Sequence, residues 1–395
     1  MIPYTSFLYF GVLLYVAVPS LAVGPLRRLR LSQAWILLAT AAMLVVQYGV
    51  VQRLVGGVAV AEFALVLGYG LLQYVVAVGF LGIRSHARSR PAFYLALGLA
   101  LAPLLATKLV PVLAPAYGFG FLGISYITFR SLDVVFNIQD GLITALPAGQ
   151  YLAFLLFFPT ISSGPIDRYR RFGRDWTHNR SRTEFLNDLD QAVHHVFQGF
   201  LYKFILADLI QRYLLNPVAT GSQLTHVIAY GYVYVFYLFF DFAGYSAFAI
   251  GLSYLLGVHT PENFNRPFLS HNIREFWERW HISLSIWFRD YVYMRFVYAA
   301  TKGKWFANRY LASYLGFFLT MGLMGLWHGV AWHYLIYGLY HGGLLASHEW
   351  FSRWNKAHQI FGKGRLWQAA AIFGTFNAVC FGMLLFSGRL GGWLG

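Results

Sequence analysis

The sequence predicts an all-α polytopic membrane protein, and three observations carry that prediction. Hydrophobic residues make up 58% of the 395 residues and charged residues only 11%, too little polar surface to cover a water-soluble globule of this length. The apolar runs are close to the roughly 20 helical residues that a hydrocarbon core of about 30 Å demands. They also lack the every-second-residue alternation that a membrane β-barrel imposes on its strands.

Each run can be taken in chain order. Phe7 to Val23 is short and ends in small residues, like a secretion signal, but its positive charge follows at Arg27, Arg28 and Arg30 instead of preceding it. The expectation is an uncleaved first helix that begins outside and ends in the cytoplasm. Runs from Ala34 to Val51, Ala61 to Ile83 and Ala92 to Leu113 follow. Arg53 stands alone in the second gap while Arg84, Arg88 and Arg90 crowd the third, so the positive-inside rule puts the first and third gaps in the cytoplasm. Gly120 to Val135 and Ala148 to Ser163 are shorter, carry Arg130, Asp133 and several glycines and prolines, and are expected to be tilted or re-entrant.

The loop Asp167 to Arg182 is the most basic of the chain and is cytoplasmic by the same rule. Beyond it, Phe185, Leu186, Leu189, Val193, Val196 and Phe197 recur at helical spacing with charges opposite. This predicts an interfacial helix capped by Ser181 or Thr183 and leading into Leu201 to Leu215. Val227 to Leu256 is longer than one straight span and contains Asp241, which must face protein or water because facing lipid is costly. Pro261 to Arg295 is a polar interlude, after which apolar runs return at Leu311 to Trp327, Val330 to Leu345 and Trp367 to Phe386. No repeat, low-complexity tract or second soluble domain interrupts this pattern. The chain reads as one membrane domain over 1–395, with amino-terminal helices in 1–117, a motif-bearing core in 118–348 and a carboxyl-terminal helix region in 349–395.

The single cysteine, Cys380, lies in an apolar run, so neither an intrachain disulfide nor a thiolate metal cluster is available. The formal charge of +15 points toward anionic headgroups and an acidic soluble protein on the cytoplasmic side, not toward nucleic acid. Within the polar interlude, Arg274-Glu-Phe-Trp-Glu-Arg-Trp-His281 sets an imidazole among aromatic residues. A second imidazole follows in Gly325-Leu-Trp-His328-Gly329. An ionisable group in a membrane segment costs a few kcal/mol, about 2.5 to 3.5 for Asp, Lys or Arg on insertion scales, and marks a functional site. Neutral histidine is cheaper, and a histidine beside tryptophans can simply fill space. Two of them change the balance, because an imidazole with an ordinary pKa near 6.5 is a competent base at neutral pH. Gly325 and Gly329 form a small-xxx-small pair that lets another helix or a substrate approach closely beside His328.

Other motifs carry less. His341 and His348 are seven apart, which places them on one helical face, but neither begins an HExxH motif and carboxylates are scarce nearby, so no metal site is expected. His194 and His195 fall in the amphipathic region. Gly118-Phe-Gly-Phe-Leu-Gly123 matches a dinucleotide fingerprint without the strand that must precede it, and Asn179-Arg-Ser181 is a glycosylation sequon on the cytoplasmic side. No GxSxG elbow occurs. If the chain is an enzyme, the nucleophile is therefore the acceptor's own hydroxyl, deprotonated by histidine as it attacks an activated acyl group.

Five ordered segments sharpen this reading: Pro159 to Arg171, Asp241 to Ser246, Pro261 to Phe268, Arg274 to His281 and Met324 to Gly329. Together they resemble the membrane-bound O-acyltransferase family, and within it the branch that D-alanylates teichoic acid. The resemblance extends from about Gly118 to His348, the first helices matching only in hydropathy. It implies a ring of about eleven tilted transmembrane helices with re-entrant and interfacial helices around a central funnel, each span of about 20 residues. It also implies His328 as the essential histidine and His281 as the second active-site position. The implied donor is D-alanine held as a thioester on the phosphopantetheine arm of a small acidic carrier protein, with no permanently bound cofactor. A membrane-anchored partner on the outer side and a bacterial plasma-membrane location are implied as well. Trp280, Trp327, Asp241, Arg274, Glu275 and Glu278 are expected to line the funnel or to support the site as an ion-pair network. Arg168, Arg170, Arg171 and Arg174 are expected to receive the carrier. Two rival readings stand beside this one. A polysaccharide O-acetyltransferase of the same family would use the same histidines, and a transporter or channel would use them as a proton relay, although no inverted repeat is evident.

Overall fold

The computed structural model describes residues 3–5, 7–23, 31–48, 59–114, 120–221, 223–308, 310–360, 362 and 364–391. The charges at Arg27, Arg28, Arg30 and Arg53, and the first two residues of the Gly118 to Gly123 run, lie outside the described residues. Among the described residues the regular secondary structure is helical, apart from one isolated antiparallel bridge between Phe264 and Trp280. Five helical stretches are long and apolar enough to cross a bilayer: Glu62–His86, Arg90–Leu113, Leu224–Leu256, Leu311–His328 and Arg365–Phe386. The shorter apolar helical stretches Tyr9–Pro19, Gln33–Gln47 and Ala148–Thr160 accompany them. The protein is thus an all-α, multi-pass membrane protein.

The chain forms two compact units. The first comprises residues 1–199 and 245–261. It contains α1 (Phe7–Val23), α2 (Leu31–Gln47), α3 (Ala59–His86), α4 (Arg90–Leu113), α5 (Ile124–Gln139), α6 (Ala148–Leu155), α7 (Tyr169–Thr177) and α8 (Arg182–Gly199). Helix α4 starts where Ser89 accepts a hydrogen bond from the Ala92 amide and Pro91 occupies the first turn, which needs no donor. Helix α5 is buried along almost its whole length, and Arg130 shows how it keeps a cation there. The guanidinium donates to the carbonyls of Phe154, Leu155 and Thr160 at 3.0, 3.1 and 2.8 Å, and to the Thr160 hydroxyl.

The basic segment expected to be a loop instead holds α7. Its apolar residues Tyr169, Phe172 and Trp176 fall on one helical face and are buried, which outweighs the charge density of the other face. Asp133 of α5 holds its start by accepting from the Tyr169 amide at 2.9 Å. Of the two caps expected for α8, Ser181 serves. Its hydroxyl accepts from the Glu184 amide at 3.2 Å while Glu184 accepts from the Ser181 amide at 2.6 Å, a reciprocal capping box.

The second unit comprises residues 200–244 and 262–395. It opens with π-helical turns at Phe200–Ala207 and Ile210–Leu215, and the 33-residue α9 (Leu224–Leu256) supplies residues to both units. Two short helices, α10 (Ile273–Arg279) and α11 (Ile282–Phe288), occupy the polar interlude, followed by α12 (Met294–Lys302), α13 (Leu311–His328), α14 (Trp332–His358) and α15 (Arg365–Phe386). Helix α14 runs on to His358 instead of ending near Leu345, since its last turns keep helical geometry with polar side chains. Among the described residues helices α13 and α14 make the most extensive helix pairing, and glycine is the reason. A Cβ on Gly325 would stand 2.2 Å from the Tyr334 carbonyl oxygen, and one on Gly338 would stand 2.3 Å from that of Met321. The two backbones therefore approach as only small residues allow.

Candidate active site

Helix α10 is capped by Asn272, whose side-chain oxygen accepts from the Glu275 amide at 2.9 Å, and it ends at Trp280. At His281 the chain turns through the left-handed region, φ 43° and ψ 51°, before α11 begins. A residue with a Cβ pays about 1–2 kcal/mol for that conformation, so something must hold it. Asn263 does so. Its carbonyl accepts from the Ile282 amide at 2.9 Å, and its side chain accepts from the Ser283 hydroxyl at 2.6 Å. The adjacent amide of Asn265 donates to the Arg279 carbonyl at 2.9 Å. The turn aims the imidazole into an aromatic wall, edge to face with Phe242 at 4.7 Å and 90°. His281 is only 5% exposed, and its Nε2 has no hydrogen-bond partner among the described residues.

His328 is the last residue of α13 and is half-buried. Its ring packs on Trp327 at 4.5 Å, Phe386 at 4.8 Å and Tyr334 at 6.0 Å. Trp327 also faces His281 at 6.5 Å, so one indole bridges the two imidazoles. They are near enough that protonating both would set like charges against each other. The glycine pair expected to admit another element beside His328 admits α14, because Gly329 sits against the Tyr334 ring and Gly325 against its carbonyl.

The remaining expected residues fall into place differently. Trp280 is buried in an aromatic cluster, stacked on Phe276 at 5.6 Å and edge-on to Phe264 at 5.1 Å. Asp241 is ion-paired with Lys203, Arg274 with Glu349 at 3.5 Å, and Glu275 with Arg279 and His271. Arg274 and the exposed Glu278 line a cavity of about 350 Å³ with Trp277, Ser285, Thr320 and Met324, whereas neither catalytic-candidate imidazole is among its lining residues. In the first unit Arg168 pairs with Asp133 at 3.1 Å, and Arg171 pairs with Asp167 and with Asp175 at 2.7 Å. Arg170 and Arg174 are exposed and outside these ion pairs.

Sequence reasoning missed the roles of Asn263 and Ser283, and it weighed His341 only as a metal ligand. The Asn263–Ser283 pair joins residues 20 apart, which no local pattern reveals. His341 is fully buried, 4.7 Å from Tyr337 and 5.2 Å from Trp277, and neither ring nitrogen has a hydrogen-bond partner among the described residues. Gly382 makes room for it, since a Cβ there would stand 2.3 Å from Nε2. Also unforeseen was His259, which bridges Asp175 at 3.4 Å and Asp188 at 2.9 Å. The hydrogen bonds it donates to those carboxylates raise its pKa to about 9. Burial works against ionised Asp175, yet the hydrogen bonds from His259 and the charge of Arg171 outweigh it and hold the carboxyl at about 2.

The second unit thus brings two imidazoles together in one aromatic setting within an all-α membrane protein, and comparison with known proteins shows its family. Residues 128–387 match the membrane-bound O-acyltransferase family, and the chain belongs to it, an O-acyltransferase by that membership. It is 42% identical over 399 residues to the teichoic acid D-alanyltransferase of Bacillus subtilis (strain 168), covering 98% of each chain. To the teichoic acid D-alanyltransferase of Streptococcus thermophilus it is 39% identical over 350 residues, covering 85% of this chain and 84% of the relative. A probable alginate O-acetylase of Azotobacter vinelandii is 36% identical over 234 residues, covering 57% of this chain and 44% of the relative.

Proposed function

We propose that this protein D-alanylates teichoic acid in a bacterial plasma membrane. In this reading it moves D-alanine from a thioester, carried on the phosphopantetheine arm of a small acidic protein in the cytoplasm, to a hydroxyl acceptor on the outer side. The near end-to-end similarity to D-alanyltransferases supports the substrate class. The observation that carries the chemistry is the pair of imidazoles bridged by Trp327, one of them buried with a ring nitrogen uncommitted.

His328 Nε2 or Nδ1 takes the proton of the acceptor hydroxyl as its oxygen attacks the thioester carbonyl. The carbon–sulfur bond then breaks, the proton passes from the imidazolium to the departing thiolate, and an ester and a free thiol result. The transient imidazolium sits at the carboxyl-terminal end of α13, where the helix carbonyls favour a positive charge. His281, held by Asn263, orients or polarises the thioester or the acceptor. Asp241, Arg274 and Glu275 support this arrangement through their ion pairs, and Trp280 through packing. Because Arg168 and Arg171 are already paired, attraction of an acidic carrier rests on the cytoplasmic charge as a whole, in a chain of net +15. A membrane-anchored partner outside would receive the product.

The test incubates the full-length protein with carrier loaded with labelled D-alanine, beside labelled acetyl-CoA, which the alginate-type relative makes the second donor to try. Label leaving the D-alanyl carrier supports the proposal, and label leaving only the acetyl donor rejects it. His328→Ala should lower transfer by about 10²–10⁴-fold, the usual worth of a general base, while the protein remains folded in the membrane. Retained transfer removes His328 from the mechanism.

A further inference from the structure

Helix α7 covers a second cavity, of about 610 Å³, in the first unit. Its wall combines three kinds of chemistry. Arg170 and Arg174 are one helical turn apart, exposed and free of the ion pairs that occupy Arg168 and Arg171, so their charges are available to a ligand. Tyr169 also lines the cavity. It is 4% exposed, and its buried hydroxyl has no hydrogen-bond partner among the described residues, although a buried unsatisfied polar group costs about 1–3 kcal/mol. At the mouth Leu142 is 53% exposed, beside exposed Thr144 and Ala145. Gly173 leaves room for the Gln150 amide in the cavity wall, since a Cβ there would stand 2.5 Å from its Nε2.

We infer that this cavity binds the headgroup of an anionic phospholipid of the cytoplasmic leaflet. Arg170 and Arg174 take the phosphodiester, Tyr169 donates its hydroxyl hydrogen to a phosphate or glycerol oxygen, and Leu142 meets the upper acyl chain. A lipid fits better than a soluble anion because an exposed leucine at the rim gains nothing from free phosphate. It fits better than an acidic protein because Arg170, Arg174 and Tyr169 line a concavity and not a flat surface. The positive-inside rule places this arginine-rich segment against the leaflet that carries anionic lipid, so supply and site coincide. The inference stands apart from the acyl-transfer reading and survives its failure.

The test uses full-length protein stripped of lipid in a neutral detergent, then titrated with dioleoylphosphatidylglycerol or dioleoylphosphatidylcholine, with bound lipid counted by native mass spectrometry. Phosphatidylglycerol should be retained in preference to phosphatidylcholine. Replacing Arg170 and Arg174 by Gln should weaken retention about fivefold per arginine, the worth of one basic residue near an anionic surface. The Lys double variant should keep most of it, and Tyr169→Phe should weaken it without abolishing it. Equal retention of both lipids, or no effect of the Gln pair in protein whose melting temperature is unchanged, overturns the inference. Displacement of the lipid by millimolar inorganic phosphate would make this a free-anion site, and displacement by the acidic carrier would make it a protein-docking surface. Either result rejects the lipid.

Discussion

Gly325→Ala should damage activity more than stability, and the neighbouring Gly322→Ala should do neither. The methyl group added at position 325 meets the Tyr334 carbonyl oxygen at 2.2 Å, about 0.8 Å inside the 3.0 Å below which Cβ contacts are essentially never found. That oxygen belongs to backbone and cannot swing aside, so α13 and α14 must separate or rotate by an amount of that order. Overpacking of this kind costs about 1–3 kcal/mol. The larger consequence lies one turn further on, because His328 is three residues beyond Gly325 on the same helix. A catalytic group misplaced by about 1 Å loses on the order of 10²-fold in rate. At Gly322 the nearest neighbour of the added methyl is the Leu339 side chain at 3.9 Å, an ordinary contact, so the same chemical change on the same helix serves as a control. Initial rates of D-alanyl transfer, together with thermal unfolding in detergent, separate the two effects. Wild-type rates from Gly325→Ala, or equal losses from both variants, would refute the idea that the α13–α14 contact sets the position of His328.

Three further outcomes follow from the same geometry. Asn263→Ala removes the acceptor for the Ser283 hydroxyl and loosens the left-handed turn at His281, so kcat should fall by about tenfold or more, the equivalent of one or two hydrogen bonds, with His281 still present. Unchanged kcat would show that the turn holds itself. His259 has a folded pKa of about 9 against an ordinary 6.5, so its contribution to stability is complete below pH 6.5 and disappears as pH rises through 9. Melting temperature should decline over that window, and a His259→Gln variant should start lower and show a flatter profile. Asp175, held at about 2, should likewise keep its contribution above pH 4 and lose it as pH falls through 2, which acid unfolding of Asp175→Asn against wild type would report.

The span pattern was legible because lipid enforces it: α1, α4, α13 and α15 begin and end within two residues of their apolar runs. The imidazoles were legible for a related reason, since ionisable side chains among tryptophans are conspicuous in a membrane chain. What escaped was governed by pairings remote in sequence. Helix α7 hides in a charge-rich segment because its burial depends on three aromatic residues spread over eight positions, whose contacts with α6 no composition reveals. Asn263 reads as one polar residue in a polar interlude until the fold brings Ser283 to it. The arginines of that same segment look alike in sequence. Only the arrangement of Asp133, Asp167 and Asp175 divides Arg168, Arg170, Arg171 and Arg174 into the first and third, which are committed, and the other two, which are not.

The site and the ion-pair network also belong to different parts of the molecule, and this bears on how they should respond to change. Phe242, Asn263, His281, Trp327, His328 and Phe386 all lie within 200–244 and 262–395, so every contact found to position the imidazoles is internal to the second unit. His259, Asp175, Asp188 and Arg180 lie within the first. Within the second unit the two imidazoles have separate supports, His281 a hydrogen-bonded turn and His328 a glycine-mediated helix contact. A lesion in one support therefore reaches the other imidazole only through Trp327, the ring that both share. A lesion at His259 should shift unfolding with pH while leaving kcat near wild type at neutral pH, because its carboxylate partners belong to the first unit and the contacts described for the two rings belong to the second.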